Sequence, residues 1–319
     1  MKYNPQRIPT KSDIQQASIR IRKYIHRTPI LSSENLNSLF GCQLFFKCEN
    51  LQKAGAFKSR GAVNTVFSLT DEEVKNGVCT HSSGNHAAAL SRAASLRGIK
   101  AHIVMPDNSS KVKIAAVEQY GGKITFCSST LESRESTLKK VQSATGANEV
   151  HPYDDPRIIT GQATAAMEVF EEINSLDILM VPVGGGGLLS GTALASRYFS
   201  ENTKVLAAEP KQADDAYRSF KAKTFIPSVS PNTIADGLRT SLGNWTFPII
   251  LDNVNDIVNV SENGIIEAMR LIWERMKIIV EPSSAVPLAA ILENTFNHSE
   301  KKIGIIISGG NVDLSDLPW

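Results

Sequence analysis

Residues 178–199 read ILMVPVGGGGLLSGTALASRYF. The first six are an apolar run of strand length, the next four, Gly184 to Gly187, are consecutive glycines, and the remainder has the length and composition of a helix. Four glycines let the backbone come close to a ligand. The N–H groups of such a loop and of the first helical turn make an anion site suited to phosphate. The pattern lacks the Lys-Ser/Thr of a P-loop and the spacing of a dinucleotide fingerprint, which makes nucleoside triphosphates and NAD poor candidates. A bland strand-to-helix turn rarely needs four glycines.

Working outward, similar strand-length runs occur at 44–49, 78–82, 101–105, 123–127, 204–208, 256–260 and 302–307. Between them lie segments of helical period, such as Ile14, Ala17, Ile21 and Ile25, or Ile265, Met269, Ile272 and Met276. Strand and helix therefore alternate, and the expected class is α/β, with mostly parallel sheets covered by helices on both faces. Residues 72–149 carry their own succession of strands and helices and end at the turn-rich HPYDDP, so a smaller domain is expected there, inserted into a larger one formed by 1–71 and 150–319.

The chain has 319 residues, 42% of them apolar, with 34 basic against 32 acidic side chains and a net charge of +2. This balance offers no global field for nucleic acid or an anionic membrane, and points to a small-molecule partner. The N-terminus MKYNPQRIPTK lacks an apolar segment, and no run reaches the roughly 18 residues of a membrane span. Cys42, Cys48, Cys79 and Cys127 form no C-x-x-C pair, which suits a reducing cytoplasm.

Ligands in open α/β sheets bind beyond the carboxyl ends of strands. Besides the glycine run, three such loops stand out: KAGAFKSRGA at 53–62, HSSGNHA at 81–87 and SGGNVD at 308–313. A lone lysine at a helix start is usually solvated. Lys58, however, sits among small and apolar residues ahead of an apolar helix expected over Val63 to Leu69, and a desolvated lysine is a Schiff-base former. Lysine and phosphate loop together suggest pyridoxal phosphate (PLP). Ser82, Ser83, Asn85 and His86 lie at a strand-to-helix turn whose free N–H groups suit a carboxylate, or serve as an ordinary cap. Ser308, at the end of the apolar IGIIIS, should point its hydroxyl into the crevice.

Taken together, the four loops resemble the serine racemase and serine/threonine dehydratase group of fold-type II PLP enzymes, including threo-3-hydroxyaspartate dehydratases. The likeness runs through the whole chain and includes PYDDPRIITGQAT, AAEPKQADD, TIADG, WERMK and VEPSSA. It implies two open twisted sheets with a small mobile domain, a homodimer, and a small β-hydroxy amino acid as substrate. Lys58 would carry PLP and act as base on one face of the substrate. Gly184, Gly185, Gly186 and Gly187 would bind its phosphate, Asn85 its ring hydroxyl and Ser308 its pyridine nitrogen, where a serine, unlike an aspartate, does not keep that nitrogen protonated. Ser82, Asn85 and His86 would bind substrate.

The resemblance also makes Ser83 the acid/base on the opposite face, which would permit racemisation; otherwise it merely lines the pocket. Glu209, the carbonyl of Ala213, and Asp215 match a divalent-metal site, for Mg²⁺ or else Ca²⁺ or Mn²⁺, a hard-oxygen set that would otherwise read as a solvated acidic turn. Arg134 matches an arginine that closes over a substrate's distal group, the alternative being a solvated helix charge. Lys113 and Tyr120 stand at nucleotide positions, but Ala88 replaces the glutamine of racemases that bind ATP, so ATP activation is in doubt. The expected activities are serine racemisation with L-serine and L-threonine dehydration, or L-threo-3-hydroxyaspartate dehydration. A non-catalytic PLP-binding protein is the remote alternative.

Overall fold

The structure is a computed structural model that describes residues 4, 7–82 and 84–319. Ser83 lies outside the described residues.

Ten strands are described: β1 Ile30–Leu31, β2 Gln43–Cys48, β3 Val78–His81, β4 Ala101–Pro106, β5 Lys123–Cys127, β6 Asn148–Glu149, β7 Ile178–Pro182, β8 Lys204–Pro210, β9 Asp256–Val260 and β10 Lys302–Ile307. They form a six-stranded sheet in the order β1-β2-β10-β7-β8-β9 and a four-stranded sheet in the order β5-β4-β3-β6. Every pairing is parallel except β1 with β2. The α/β class with two mostly parallel sheets is thus as the sequence led us to expect.

Parallel pairing follows from burial on both faces. In β10, Ile303, Ile305 and Ile307 enter one apolar cluster, and Ile306 enters the cluster across the sheet. The four-stranded sheet is built within 78–149, yet its core also takes in Ile21, Ala62, Val63, Val66 and Ile158 from outside that span.

One helix differs from expectation in its start. It runs Lys58–Ser68 and not from Val63, so Lys58 is its first residue. Gly61 would ordinarily weaken this turn. Tertiary packing overrides that preference: Gly61 lies against Gly161 and accepts no side chain, its amide donates to Gln162 Oε1 at 3.1 Å, and Arg60 is anchored in a buried ion-pair cluster. In that cluster Arg60 bonds Glu49 and Glu168, and Lys47 bonds Glu168 at 2.6 Å. Arg60 and Lys47 have fully buried side chains. Two cations thus meet two carboxylates, and the guanidinium pKa stays raised despite burial because Glu49 and Glu168 hold its charge.

Candidate active site

The loops at the carboxyl ends of β2, β3, β6, β7 and β10 interlock. After β2 the chain reaches Ala54, Gly55 and Ala56, where Ala56 makes a β-bridge to Gly309 and Gly310 N donates to Gly55 O at 2.9 Å. Phe57 N donates to Ser308 O at 3.0 Å, which sets the start of the Lys58 helix directly against the end of β10.

Lys58 is half-buried, and its Nζ donates to the carbonyl of Pro152, in the loop after β6, at 2.8 Å. Desolvation lowers its pKa to about 8, and the Glu281 carboxylate opposes that shift. A lysine of this kind is partly neutral near pH 7 and nucleophilic.

The glycine run departs from β7 as expected. Gly186, with φ +85°, precedes the helix Gly187–Phe199, whose start receives no side-chain cap. Its first-turn N–H groups therefore remain available to an anion. Packing also demands these glycines: a Cβ on Gly184 would lie 2.8 Å from Leu238 Cα, and one on Gly187 would lie 2.9 Å from Tyr153 Cβ. Behind the loop, Thr246 Oγ1 donates to Gly185 O at 2.8 Å, and Asp154 accepts the amides of Asn244, Trp245 and Thr246.

Asn85 opens the helix Asn85–Arg97, again without a side-chain cap at Gly84. Its Nδ2 donates to both carboxylate oxygens of Glu281 at 2.8 and 3.1 Å, and its Oδ1 accepts from Asn311 Nδ2 at 2.9 Å. Burial pushes the Glu281 carboxyl up to about 7, with Asp236 adding to the shift. Ser82 sits in the same turn and accepts from Gly84 N at 3.3 Å.

His86 is buried and faces the carbonyl of Val150 through Nε2 at 3.2 Å, so that nitrogen carries the hydrogen and Nδ1 is an unpartnered acceptor. Burial, with Lys58 nearby, holds its pKa well below the usual range, so the ring is neutral. His151 is neutral as well, lowered to about 3 chiefly by burial, and its Nδ1 accepts from Asp154 N at 2.8 Å. Arg134 is half-buried on the helix Leu131–Thr145, its Nε has no hydrogen-bond partner, and its charge acts on His81 and Tyr153.

Ser308 is buried after β10, with its Oγ 3.0 Å from Ser284 Oγ. A half-buried lysine of lowered pKa, an uncapped glycine-led helix start and a buried hydroxyl at a third strand end fit the amine, phosphate and ring-nitrogen contacts of PLP. Lys113, expected near a nucleotide, pairs with Asp236 and lies beside Gly84, while Tyr120 ends the same helix, Lys111–Gln119. The ammonium is therefore already engaged at the mouth of the cleft.

Away from this cleft, Glu209 and Asp215 are both buried. Glu209 accepts the amides of Ala216 at 3.0 Å and Tyr217 at 2.7 Å, whereas the Asp215 carboxylate makes no comparably close bond to the described residues, its polar neighbours being Ser228 and its own amide. Desolvation pushes Asp215 up to about 6, and desolvation with the nearby Asp215 charge raises Glu209 well above its usual range. Ala213 lies in the short turn Lys211–Ala213 between them. Two buried carboxylates, with no cation side chain of the described residues on either, suit a hard cation. Among the described residues no group of three His, Cys, Asp or Glu side chains surrounds such an ion.

Sequence reasoning missed Glu281, Asn311, Ser284 and Asp236 as site residues. Asn311 was signalled by its place in the SGGNVD loop; Glu281 and Ser284 sit at a helix start, where attention to strand ends does not reach.

Residues 21–309 match the family of pyridoxal-phosphate dependent enzymes, and the chain belongs to that family. Within it the chain is a serine racemase-like enzyme of the racemase and dehydratase group. It is 52% identical to the beta-hydroxyaspartate dehydratase of Paracoccus denitrificans over 312 residues, covering 98% of this chain and 99% of the relative. It is 50% identical to the serine racemase of Dictyostelium discoideum over 318 residues, covering 98% of each. The structure of maize serine racemase superposes with a TM-score of 0.93 at 48% identity, covering 96% of this chain and 94% of that one. Among the described residues, no helix is long and apolar enough to cross a membrane.

Proposed function

We propose that this enzyme racemises serine and dehydrates L-serine and L-threonine, acting on its substrate through the α-carbon. The observation that carries the reading is Lys58, whose amine is kept partly neutral and is held at the Pro152 carbonyl where five strand-end loops meet. Lys58 would hold PLP, with Gly184 to Gly187 at its phosphate, Asn85 at its ring hydroxyl and Ser308 at its ring nitrogen. Bound PLP supplies an electron sink that acidifies the substrate's α-hydrogen. Lys58, in its neutral form, takes that proton from one face. The uncapped start of the helix Asn85–Arg97, with Ser82, receives the substrate carboxylate.

Ser83 acts from the opposite face in this reading, a role that rests on the SSGNH motif because the residue lies outside the described ones. Glu209, Asp215 and the carbonyl of Ala213 hold Mg²⁺ or a similar cation, a reading supported by the burial of two carboxylates whose charges raise one another's cost. Residues 72–149 move as a unit over the substrate, with Lys113 and Asp236 meeting at its edge.

A second reading, L-threo-3-hydroxyaspartate dehydration, is favoured by Arg134. Its half-buried guanidinium, whose charge acts on His81 and Tyr153, would meet the β-carboxylate in this reading. The purified protein should be assayed on L-serine, D-serine, L-threonine and threo-3-hydroxyaspartate, following keto acid and enantiomer together. Ser83→Ala should lose D-serine formation by on the order of a hundredfold and keep most L-serine dehydration. Parallel loss of both activities would make Ser83 structural, and no turnover of serine in either direction would reject the first reading.

A further inference from the structure

Ser284 is fully buried near the start of the helix Pro282–Leu292. Its Oγ donates to the carbonyl of Gly309 at 2.6 Å, accepts from the amide of Gly309 at 2.7 Å, and lies 3.0 Å from Ser308 Oγ. A serine hydroxyl has one hydrogen. With Ser284's hydrogen on the carbonyl, the 3.0 Å contact requires Ser308 to donate, and Ser308's single hydrogen then points at Ser284 and away from the cleft. The Gly309 carbonyl has a second donor, the amide of Glu281 at 3.1 Å. Ser284 can therefore turn its hydrogen to Ser308 without leaving a buried carbonyl unpaired.

The geometry points to Ser284 as a positioning residue for the cofactor ring, a role that rests on Ser308 facing the ring nitrogen. When that nitrogen is in place the two hydroxyls reorient together. Gly309 N donates to Ser284, Ser284 to Ser308, and Ser308 to the nitrogen. Aligned hydrogen bonds polarise one another, and a dry environment strengthens each, so Ser308 becomes a better donor than a lone serine. The ring nitrogen is thereby held by a chain of three donors and stays a hydrogen-bonded acceptor.

The test uses the holoenzyme loaded with PLP labelled with ¹⁵N at the ring nitrogen, reading its chemical shift and the apparent dissociation constant for PLP. Ser284→Ala should move the resonance downfield, toward an unbonded pyridine nitrogen, and weaken PLP by about threefold to tenfold, the scale of one net hydrogen bond. Ser284→Thr should keep the wild-type shift, and Ser284→Cys, a weaker donor, should move it in the same direction by less. An upfield shift in Ser284→Ala would mean that Ser284 competes for Ser308's hydrogen. An unmoved resonance with a lower melting temperature would make it a structural cap, and either result overturns the proposal. Ser308→Ala separates the two levels. If it leaves the resonance at its wild-type position, Ser308 does not face the nitrogen and the underlying reading fails; if it moves the resonance while Ser284→Ala does not, only the role of Ser284 fails.

Discussion

Lys58 Nζ donates to the Pro152 carbonyl at 2.8 Å, so the loop after β6 of the smaller sheet holds the reactive side chain of a helix that follows β2 of the larger one. The amine is positioned by main chain, and its basicity is set by burial against the opposing charge of Glu281.

Burial sets the pH dependence of cofactor capture. Only the neutral amine attacks an aldehyde, and its fraction rises tenfold per pH unit until the pKa is passed. With Lys58 at about 8, capture of PLP by cofactor-free protein should accelerate up to about pH 8 and then level. Growth of the Schiff-base absorbance in a stopped-flow instrument measures it. An acceleration that continues beyond pH 10 would show an ordinary lysine. Glu281→Gln removes the charge that opposes the shift and should move the break to lower pH.

Asp215 makes the metal testable by stability. Its buried carboxylate, with no close hydrogen bond to compensate burial, should gain from a cation, and a ligand bound to the folded state alone adds about 2.7 kcal/mol of stability at a hundred times its dissociation constant and so raises the melting temperature. Mg²⁺ should stabilise the wild type and EDTA should reverse the effect, whereas Asp215→Asn should respond to neither. A wild type indifferent to both would mean that Glu209 and Asp215 hold no cation.

The ion-pair cluster beneath Lys58 predicts a large loss on breaking one partner. Arg60→Met leaves Glu49 and Glu168 in a dry core with Lys47, on Glu168, as the one remaining cation of the cluster, and removal of one member of such a cluster typically loses about 3–5 kcal/mol. Urea unfolding reads this directly. A loss below about 1 kcal/mol would mean that relaxation or water replaces the guanidinium.

Arg134 should separate the substrates. Arg134→Leu is expected to lower kcat/KM for threo-3-hydroxyaspartate by on the order of tenfold to a hundredfold, the scale of a hydrogen bond to a charged group. L-Serine, which has no β-carboxylate, should be nearly unaffected. Equal losses on both would place Arg134 in the framework of the helix Leu131–Thr145.

The longer strands were legible because burial writes itself into them: IGIII and ILMV have no polar face for solvent, as parallel strands between two helical layers require. The two-residue strands β1 and β6 show no period and were not legible. The helix from Lys58 was hidden by Gly61, whose place depends on Gly161 and Gln162, some hundred residues away. The glycine loop after β7 and the small, apolar surroundings of Lys58 could be read from local sequence. The Lys113–Asp236 pair and the Asn85–Glu281 pair could not, since each joins residues that only the tertiary fold brings together.

Asn85, Glu281 and Asn311 come from three loops, yet each amide or carboxylate completes the hydrogen bonding of the next. Their substitutions are therefore not independent. Removing any one strands its neighbours, so a second change in the trio does less harm than it would alone, and the energies do not add. Inheritance would then act on such a trio as on a single character, with a change at one of these three positions expected to be better borne alongside changes at the other two.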